Sequence, residues 1–149
     1  MYKHILVPTD GSTLSLKAAK AAVDLAKVHK AKITAIHVMA PYVAPIAGDG
    51  IMYYPDSFSP EQYKKAVDKE AKKALAKVEA AARAKKVPFD SVAVTHDQPW
   101  ESIVDTARKK KCDLVVMASH GRRGIAGLLL GSETTKVLTH SRTPVLVCR

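Results

Sequence analysis

A chain of 149 residues that is 47% hydrophobic and 26% charged reads as one ordinary globular domain over 1–149, of a size that buries roughly two thirds of its unfolded surface. No run of about 18 apolar residues occurs, which argues against a membrane span, and the opening MYKHILVPTD lacks the basic region and long apolar core of a secretory signal, so the expected location is the cytoplasm. The formal net charge of +10 raises the question of an anionic partner, whether nucleic acid, lipid or a phosphate ligand.

The first element is HILVP (4–8), apolar at nearly every position, as strands buried on both faces of a parallel sheet are. PTDGST (8–13) follows, with Ser12 suited to cap a helix and Asp10 directly after the strand. Residues 13–30 place Leu14, Ala18, Ala21, Ala22, Leu25 and Ala26 on one helical face, and KITAIHVM (32–39) is the second strand. Residues 40–60 hold four prolines, two glycines and four of the eight aromatics (Tyr42, Tyr53, Tyr54, Phe58), without periodicity. A long structureless stretch in a small domain is either an excursion, a lid over a ligand or a docking segment.

Residues 61–86 form the next helix, with Tyr63, Val67, Ala71, Ala74, Leu75, Val78 and Ala82 as its apolar stripe. Lys64, Lys65, Lys69, Lys72, Lys73 and Lys77 fall largely off that stripe, and Glu61–Lys65 and Asp68–Lys72 are spaced as favourable pairs. Much of the positive charge is therefore a solvated helix face. No aromatic residues interleave with it, which argues against a nucleic-acid partner.

SVAVTH (91–96) is the third strand. After DQP, residues Trp100, Ile103, Val104 and Ala107 recur at helical spacing. Pro99 and Glu101 suit the start of this helix and Arg108 to Lys111 its end, with Trp100 as a core anchor. DLVVMAS (113–119) is the fourth strand; a glycine-rich stretch, a helix over about 132–141 and the strand PVLVC (144–148) complete the chain. Cys112 and Cys148, at strand edges and without CxxC or metal spacing, read as free thiols.

Strand and helix alternating throughout specify an α/β fold with a parallel sheet and helices on both faces. Such sheets bind ligands at the carboxyl ends of their strands. There MASHGRRGIAGLLLGSET (117–134) brings glycines at 121, 124, 127 and 131, which let backbone N–H groups approach an anion or take positive φ. Gly131-Ser132 then opens a helix, whose free N–H groups, expected at 133 to 135, favour a phosphate. The hydroxyls of Ser132 and Thr134 either donate to phosphate oxygens or, for Ser132, cap the helix. Arg122 and Arg123 either neutralise phosphate or face water, and His120 reads as a turn residue rather than a base. Asp10 either accepts from ribose hydroxyls or holds a divalent cation, or closes an Asx turn before Gly11. Neither a Walker-type phosphate loop nor a dinucleotide fingerprint is present. No nucleophile elbow or metal cluster is recognisable, so an anion site is signalled but chemistry on the anion is not.

With HILVPTDGS, AIHV, CDLVVMASHGRRG, LLLGSETTKVL and THSRTPVLVCR, the chain resembles the universal stress proteins along essentially its whole length. The resemblance implies a three-layer open sandwich with a five-stranded parallel sheet of order 3-2-1-4-5, which sets the first and fourth strands side by side. It also implies a homodimer through the strand 144–148. The nucleotide-binding branch carries Gly-x2-Gly-x9-Gly-Ser/Thr, read here as Ala118-x2-Gly121-x9-Gly131-Ser132, with alanine at the first glycine. By the same resemblance Asp10 meets the ribose, Val38 offers backbone bonds to the adenine edge, and Pro8, Thr9 and Met117 wall the base. Gly121, Arg122, Ser132, Glu133 and Thr134 surround the phosphates, largely through backbone N–H, and Mg²⁺ is held mainly by the phosphates of ATP or another adenine nucleotide. The function so implied is a stress-response regulator that binds nucleotide. A non-binding dimeric scaffold is the alternative. A slow ATPase or phosphotransferase ranks last, because neither a general base nor a dedicated transition-state donor is identifiable.

Overall fold

The structure, a computed structural model, describes residues 1–43, 59–121 and 130–149. Its elements in order are β1 (His4–Pro8), α1 (Thr13–His29), β2 (Lys32–Met39), α2 (Pro60–Ala84), β3 (Phe89–Thr95), α3 (Pro99–Lys109), β4 (Leu114–Ala118), α4 (Ser132–His140) and β5 (Val145–Cys148). The strands pair in parallel in the order β3-β2-β1-β4-β5, with β1 between β2 and β4. The sequence expectation for the sheet is met in class, order and direction. No helix among the described residues is long and apolar enough to cross a membrane.

The continuous apolar runs are explained by two cores, one on each side of the sheet. Ile5 and Val7 point into the larger core, with Ala22 and Val23 of α1 and Val78 and Ala82 of α2. Leu6, one residue out of phase, points into the smaller core, with Ile103 and Ala107 of α3 and Val137 of α4. On α1 the buried face differs from the expected one. Ser15, Ala18, Ala19, Ala22, Val23 and Ala26 are buried, whereas Ala21 is exposed and Leu14 and Leu25 are only half-buried. Small residues let α1 approach the sheet closely, and Leu25 packs against the margin of the larger core. On α2 the expected stripe holds, with Ala71, Ala74, Val78 and Ala82 buried and the lysines exposed. The ion pair of Asp68 is made with Lys64 at 2.9 Å rather than with Lys72. Both partners stay in water, so the exchange has little energetic weight.

The buried polar residues His4, Thr9, Ser15, Thr34, His37, Ser119 and Thr134 are hydrogen-bonded, whereas Nδ1 of the half-buried His29 finds no partner among the described residues. The His4 ring donates from Nδ1 to the Lys110 carbonyl (3.0 Å), which leaves Nε2 to accept from the Thr34 hydroxyl (2.8 Å). Burial, aided by the charge of Lys32, holds His4 below its ordinary pKa. Cys112 and Cys148 are both free, and burial pushes the Cys112 thiol up to about 11.

Three helices leave for the next strand through a lysine in the left-handed region: Lys30 (φ 54°), Lys86 (φ 56°) and Lys111 (φ 54°). Lys30 caps α1 there, its N–H directed at the carbonyls of Ala26 and Lys27. Glycine takes this conformation without the clash of a Cβ. Lys30→Gly is therefore expected to stabilise the fold by roughly 1 kcal/mol, read as a raised midpoint in thermal or urea unfolding. An unchanged or lowered midpoint would contradict the capping argument.

Candidate functional site

Where β1 and β4 end side by side, the chain turns from β1 into α1 and from β4 towards α4, so the two departures open a crevice between them. A cleft of about 210 Å³ occupies this place. Pro8, Thr9 and Asp10 reach it from the end of β1, Met117 and Ala118 from the end of β4, and Ile36 and Val38 from β2. Pro99 and Ile103 of α3 close one side; His120, Gly121, Glu133 and Thr134 close another, and Ser15 of α1 completes the lining. Of the residues expected from the sequence, Pro8, Thr9, Asp10, Val38, Met117, Ala118, Gly121, Glu133 and Thr134 are thus brought together. Gly131 and Ser132 do not line the cleft, although they open α4 immediately before Glu133. Arg122, Arg123, Gly124, Gly127, Tyr53, Tyr54 and Phe58 lie outside the described residues.

Asp10 does two things at once. Its Oδ1 accepts from the Ser12 N–H at 3.0 Å, the Asx turn weighed above, while Ser12 Oγ caps α1 by accepting from the Ser15 N–H at 3.1 Å. The other oxygen faces Gly121 so closely that a Cβ there would stand 2.7 Å from Oδ2. Glycine is needed at 121 for this approach and not for positive φ, which among the described glycines is found only at Gly11 (φ 78°). The expectation of left-handed glycines in the anion loop is corrected at 121 and 131. Gly131 has φ −72°, and its demand is again closeness, a Cβ there lying 3.1 Å from both Cα and Cβ of His120.

The start of α4 also differs from the sequence expectation. Gly131, not Ser132, is the N-cap, and no side chain caps the helix. The Thr135 N–H already donates to the Gly131 carbonyl at 3.0 Å. The amides left without an intrahelical acceptor are accordingly those of 132 to 134, one residue earlier than expected. Thr134 is buried and its hydroxyl donates to the Ala118 carbonyl at 3.0 Å, so its contribution to a ligand is its backbone and not its side chain. The Glu133 carboxylate turns away to α3, where Oε2 accepts from the Trp100 N–H at 2.9 Å and Oε1 lies 3.3 Å from Lys136 Nζ. Ala118, the substituted motif position, is the last residue of β4 and pairs with Cys148. Its φ is not in the left-handed region, so the methyl group brings no backbone strain.

At the opposite end Val38 presents a strand edge that, among the described residues, has no partner from β1. Even-numbered residues of β2 turn their N–H and C=O towards β1, as the bond from Thr9 N–H to the Ile36 carbonyl (2.9 Å) shows. β1 pairing stops at Pro8–Ile36, and Val38 lies beyond it. Sequence reading missed Ser15, Ile36, Pro99, Ile103 and His120 as lining. Ile36 and Ile103 belong to the smaller core as well, so their letters signal burial and nothing more. Among the described residues no group of three or more His, Cys, Asp and Glu could hold a metal ion.

The sequence matches the profile of the Universal stress protein family over residues 1–149. It is 37% identical to the universal stress protein MJ0531 of Methanocaldococcus jannaschii over 149 residues, which is 100% of this chain and 83% of that protein. The structure superposes on that of the hypothetical protein MJ0577 with a TM-score of 0.75 and 27% identity, covering 99% of this chain and 95% of the other. It superposes on a universal stress protein in complex with cAMP with a TM-score of 0.68 and 26% identity, covering 99% and 97%. The chain belongs to the universal stress protein family.

Proposed function

We propose that the cleft binds an adenine nucleotide, ATP with Mg²⁺ or a relative of it, and that the protein is a cytoplasmic stress-response regulator acting through that binding. One observation carries the reading: a single apolar cleft has a strand edge without a β1 partner at Val38, a carboxylate at Asp10 and the uncapped start of α4 on its border. A purine fits between Ile36, Ile103 and Met117, with the Val38 N–H and C=O able to pair with its edge. Asp10 accepts from the ribose, and the amides of 132 to 134 receive phosphate oxygens. Among the described residues the lining holds two carboxylates and no lysine or arginine, so a polyphosphate enters with a divalent ion offsetting its charge. The related universal stress protein solved with cAMP supports the adenine class. The same reading has two copies meeting along β5, an edge strand whose Leu146 is 44% exposed.

Calorimetric titration of ATP with Mg²⁺ tests this. Micromolar binding is expected for the wild type. Gly131→Val, whose Cβ meets the His120 backbone at 3.1 Å, is expected to lose more than about tenfold in affinity, or 1.4 kcal/mol. Ala118→Gly is expected to stay within about fivefold of wild type, because no left-handed φ has to be relieved there. Absence of binding to both the wild type and Ala118→Gly would overturn the proposal and leave the scaffold reading.

A further inference from the structure

The strand edge at Val38 poses a question of its own, because the Thr9 carbonyl is the natural partner for the Val38 N–H. Along β2 the Lys32 N–H donates to the Lys3 carbonyl (3.0 Å), and the Ile36 carbonyl accepts from the Thr9 N–H (2.9 Å), so even positions face β1. Odd positions face β3, as the bonds from Ile33 N–H to the Pro88 carbonyl (2.8 Å) and from His96 N–H to the Met39 carbonyl (3.0 Å) require. In a parallel ladder the rung after Thr9 N–H to Ile36 C=O is Val38 N–H to Thr9 C=O. That rung is not made. The Thr9 carbonyl meets His37 instead, with Nδ1 2.8 Å away. A carbonyl can only accept, so Nδ1 carries the hydrogen.

His37 does this from behind the sheet. It is 8% exposed, and strand alternation sets it on the side of Ile33 and Ala35, in the layer of α1 and α2, while Ile36 and Val38 face the cleft. It is therefore out of reach of a ligand in the cleft. A carbonyl oxygen has two lone pairs, so occupancy alone would not exclude Val38, and the role of the imidazole has to lie in where it holds the Thr9 carbonyl. We infer that His37 is a positioning residue that ends the β1–β2 ladder one rung early and keeps the Val38 N–H open for the ring-nitrogen acceptor of an adenine. The ligand in this inference rests on the nucleotide reading above, but the geometry does not.

The consequence is base selectivity. The pairing edge of adenine offers an acceptor nitrogen beside an amino donor, which matches the N–H and C=O of Val38. Guanine presents a ring N–H and a carbonyl oxygen there, so a donor meets a donor. If the Val38 N–H were spent on Thr9, the match to adenine would lose its acceptor half.

Two measurements test it, the first without ligand. Hydrogen exchange of the Val38 amide is expected to be fast in the wild type and at least tenfold slower in His37→Phe, where the Thr9 carbonyl returns to the ladder. His37→Asn, whose amide N–H replaces Nδ1–H at the same distance from the backbone, is expected to keep exchange fast. In the second, the preference for ATP over GTP, both with Mg²⁺, is expected to fall at least tenfold in His37→Phe and to be retained in His37→Asn. If His37→Phe does not fold, the ring-nitrogen spectrum of the wild type decides: a hydrogen on Nδ1 supports the inference and one on Nε2 alone overturns it. Slow Val38 exchange in the wild type, or no change in a folded His37→Phe, also overturns it. Exchange as expected but no nucleotide bound by any of the three proteins would sink the nucleotide reading while leaving the hold of His37 on Thr9 in place.

Discussion

Gly121→Val is expected to weaken ATP binding by about 100-fold or more while leaving the protein folded. A Cβ at this position would lie 2.7 Å from Asp10 Oδ2 and 3.7 Å from Asp10 Cγ, well inside contact distance of a charged group. The carboxylate cannot simply rotate aside, because its other oxygen is held by the Ser12 N–H at 3.0 Å at the entrance to α1. Relief requires either giving up that Asx turn or pushing the segment at 121 out into the cleft. The first outcome removes the acceptor proposed for the ribose, and hydrogen bonds to charged groups contribute about 1.5–3 kcal/mol. The second fills the space beside it. Either outcome is expected to cost about 2.7 kcal/mol or more, which is two decades in dissociation constant. Gly121→Ala, with the same first carbon and fewer atoms beyond it, should fall between. Titration calorimetry reads the loss and far-ultraviolet circular dichroism confirms the fold. A folded Gly121→Val protein that binds ATP within about tenfold of the wild type would remove the Asp10–Gly121 contact from the site.

That contact illustrates what was legible in the sequence and what was not. Runs such as HILVP and DLVVMAS declare doubly buried strands, and the glycines before α4 raise the expectation of an anion site, which the family resemblance narrows to Ala118-x2-Gly121-x9-Gly131-Ser132. Local sequence offers two reasons for the glycines, close approach to an anion and positive φ, and the structure shows positive φ at neither 121 nor 131. The actual cause is a carboxylate more than a hundred residues earlier, against which Gly121 packs. The same kind of non-local cause diverts Thr134 and Glu133. The Thr134 hydroxyl looks ready for phosphate in GSET, yet it is claimed by the Ala118 carbonyl, and the Glu133 carboxylate accepts from the Trp100 N–H at the start of α3. Both partners are set by the packing of α4 against β4 and α3, which local spacing does not encode. Ile36 and Ile103 fail for another reason, since an apolar letter reads alike whether it fills a core or walls a cleft. His37, one polar letter inside the apolar run of β2, had a signal that could have been followed: a histidine on a doubly buried strand needs a named partner.

Leu6→Ala is expected to cost about 3–5 kcal/mol of stability, the range for truncating a fully buried leucine whose surroundings cannot collapse. Leu6 is 0% exposed in β1, with β2 and β4 paired on either side of it. Its side chain enters the smaller core, where Ile36, Ile103, Val115, Met117 and Val137 surround the space it would leave. Three of these, Ile36, Ile103 and Met117, also line the cleft. Relaxation into the new cavity therefore moves the wall of the site, and nucleotide affinity should fall with stability. Ile5→Ala provides the contrast. It removes a similar volume from the same strand, but from the larger core under α1 and α2, which supplies none of those three side chains. Its expected loss of stability is also several kcal/mol, with ATP affinity within about threefold of wild type, or roughly 0.7 kcal/mol. Urea unfolding of both variants, followed by titration below the start of their transitions, separates the two cores. Equal losses of affinity in both would mean that the cleft responds to global stability alone. A loss confined to Leu6→Ala would mean that the layer of α3 and α4 holds the shape of the site through the residues that also hold it to the sheet.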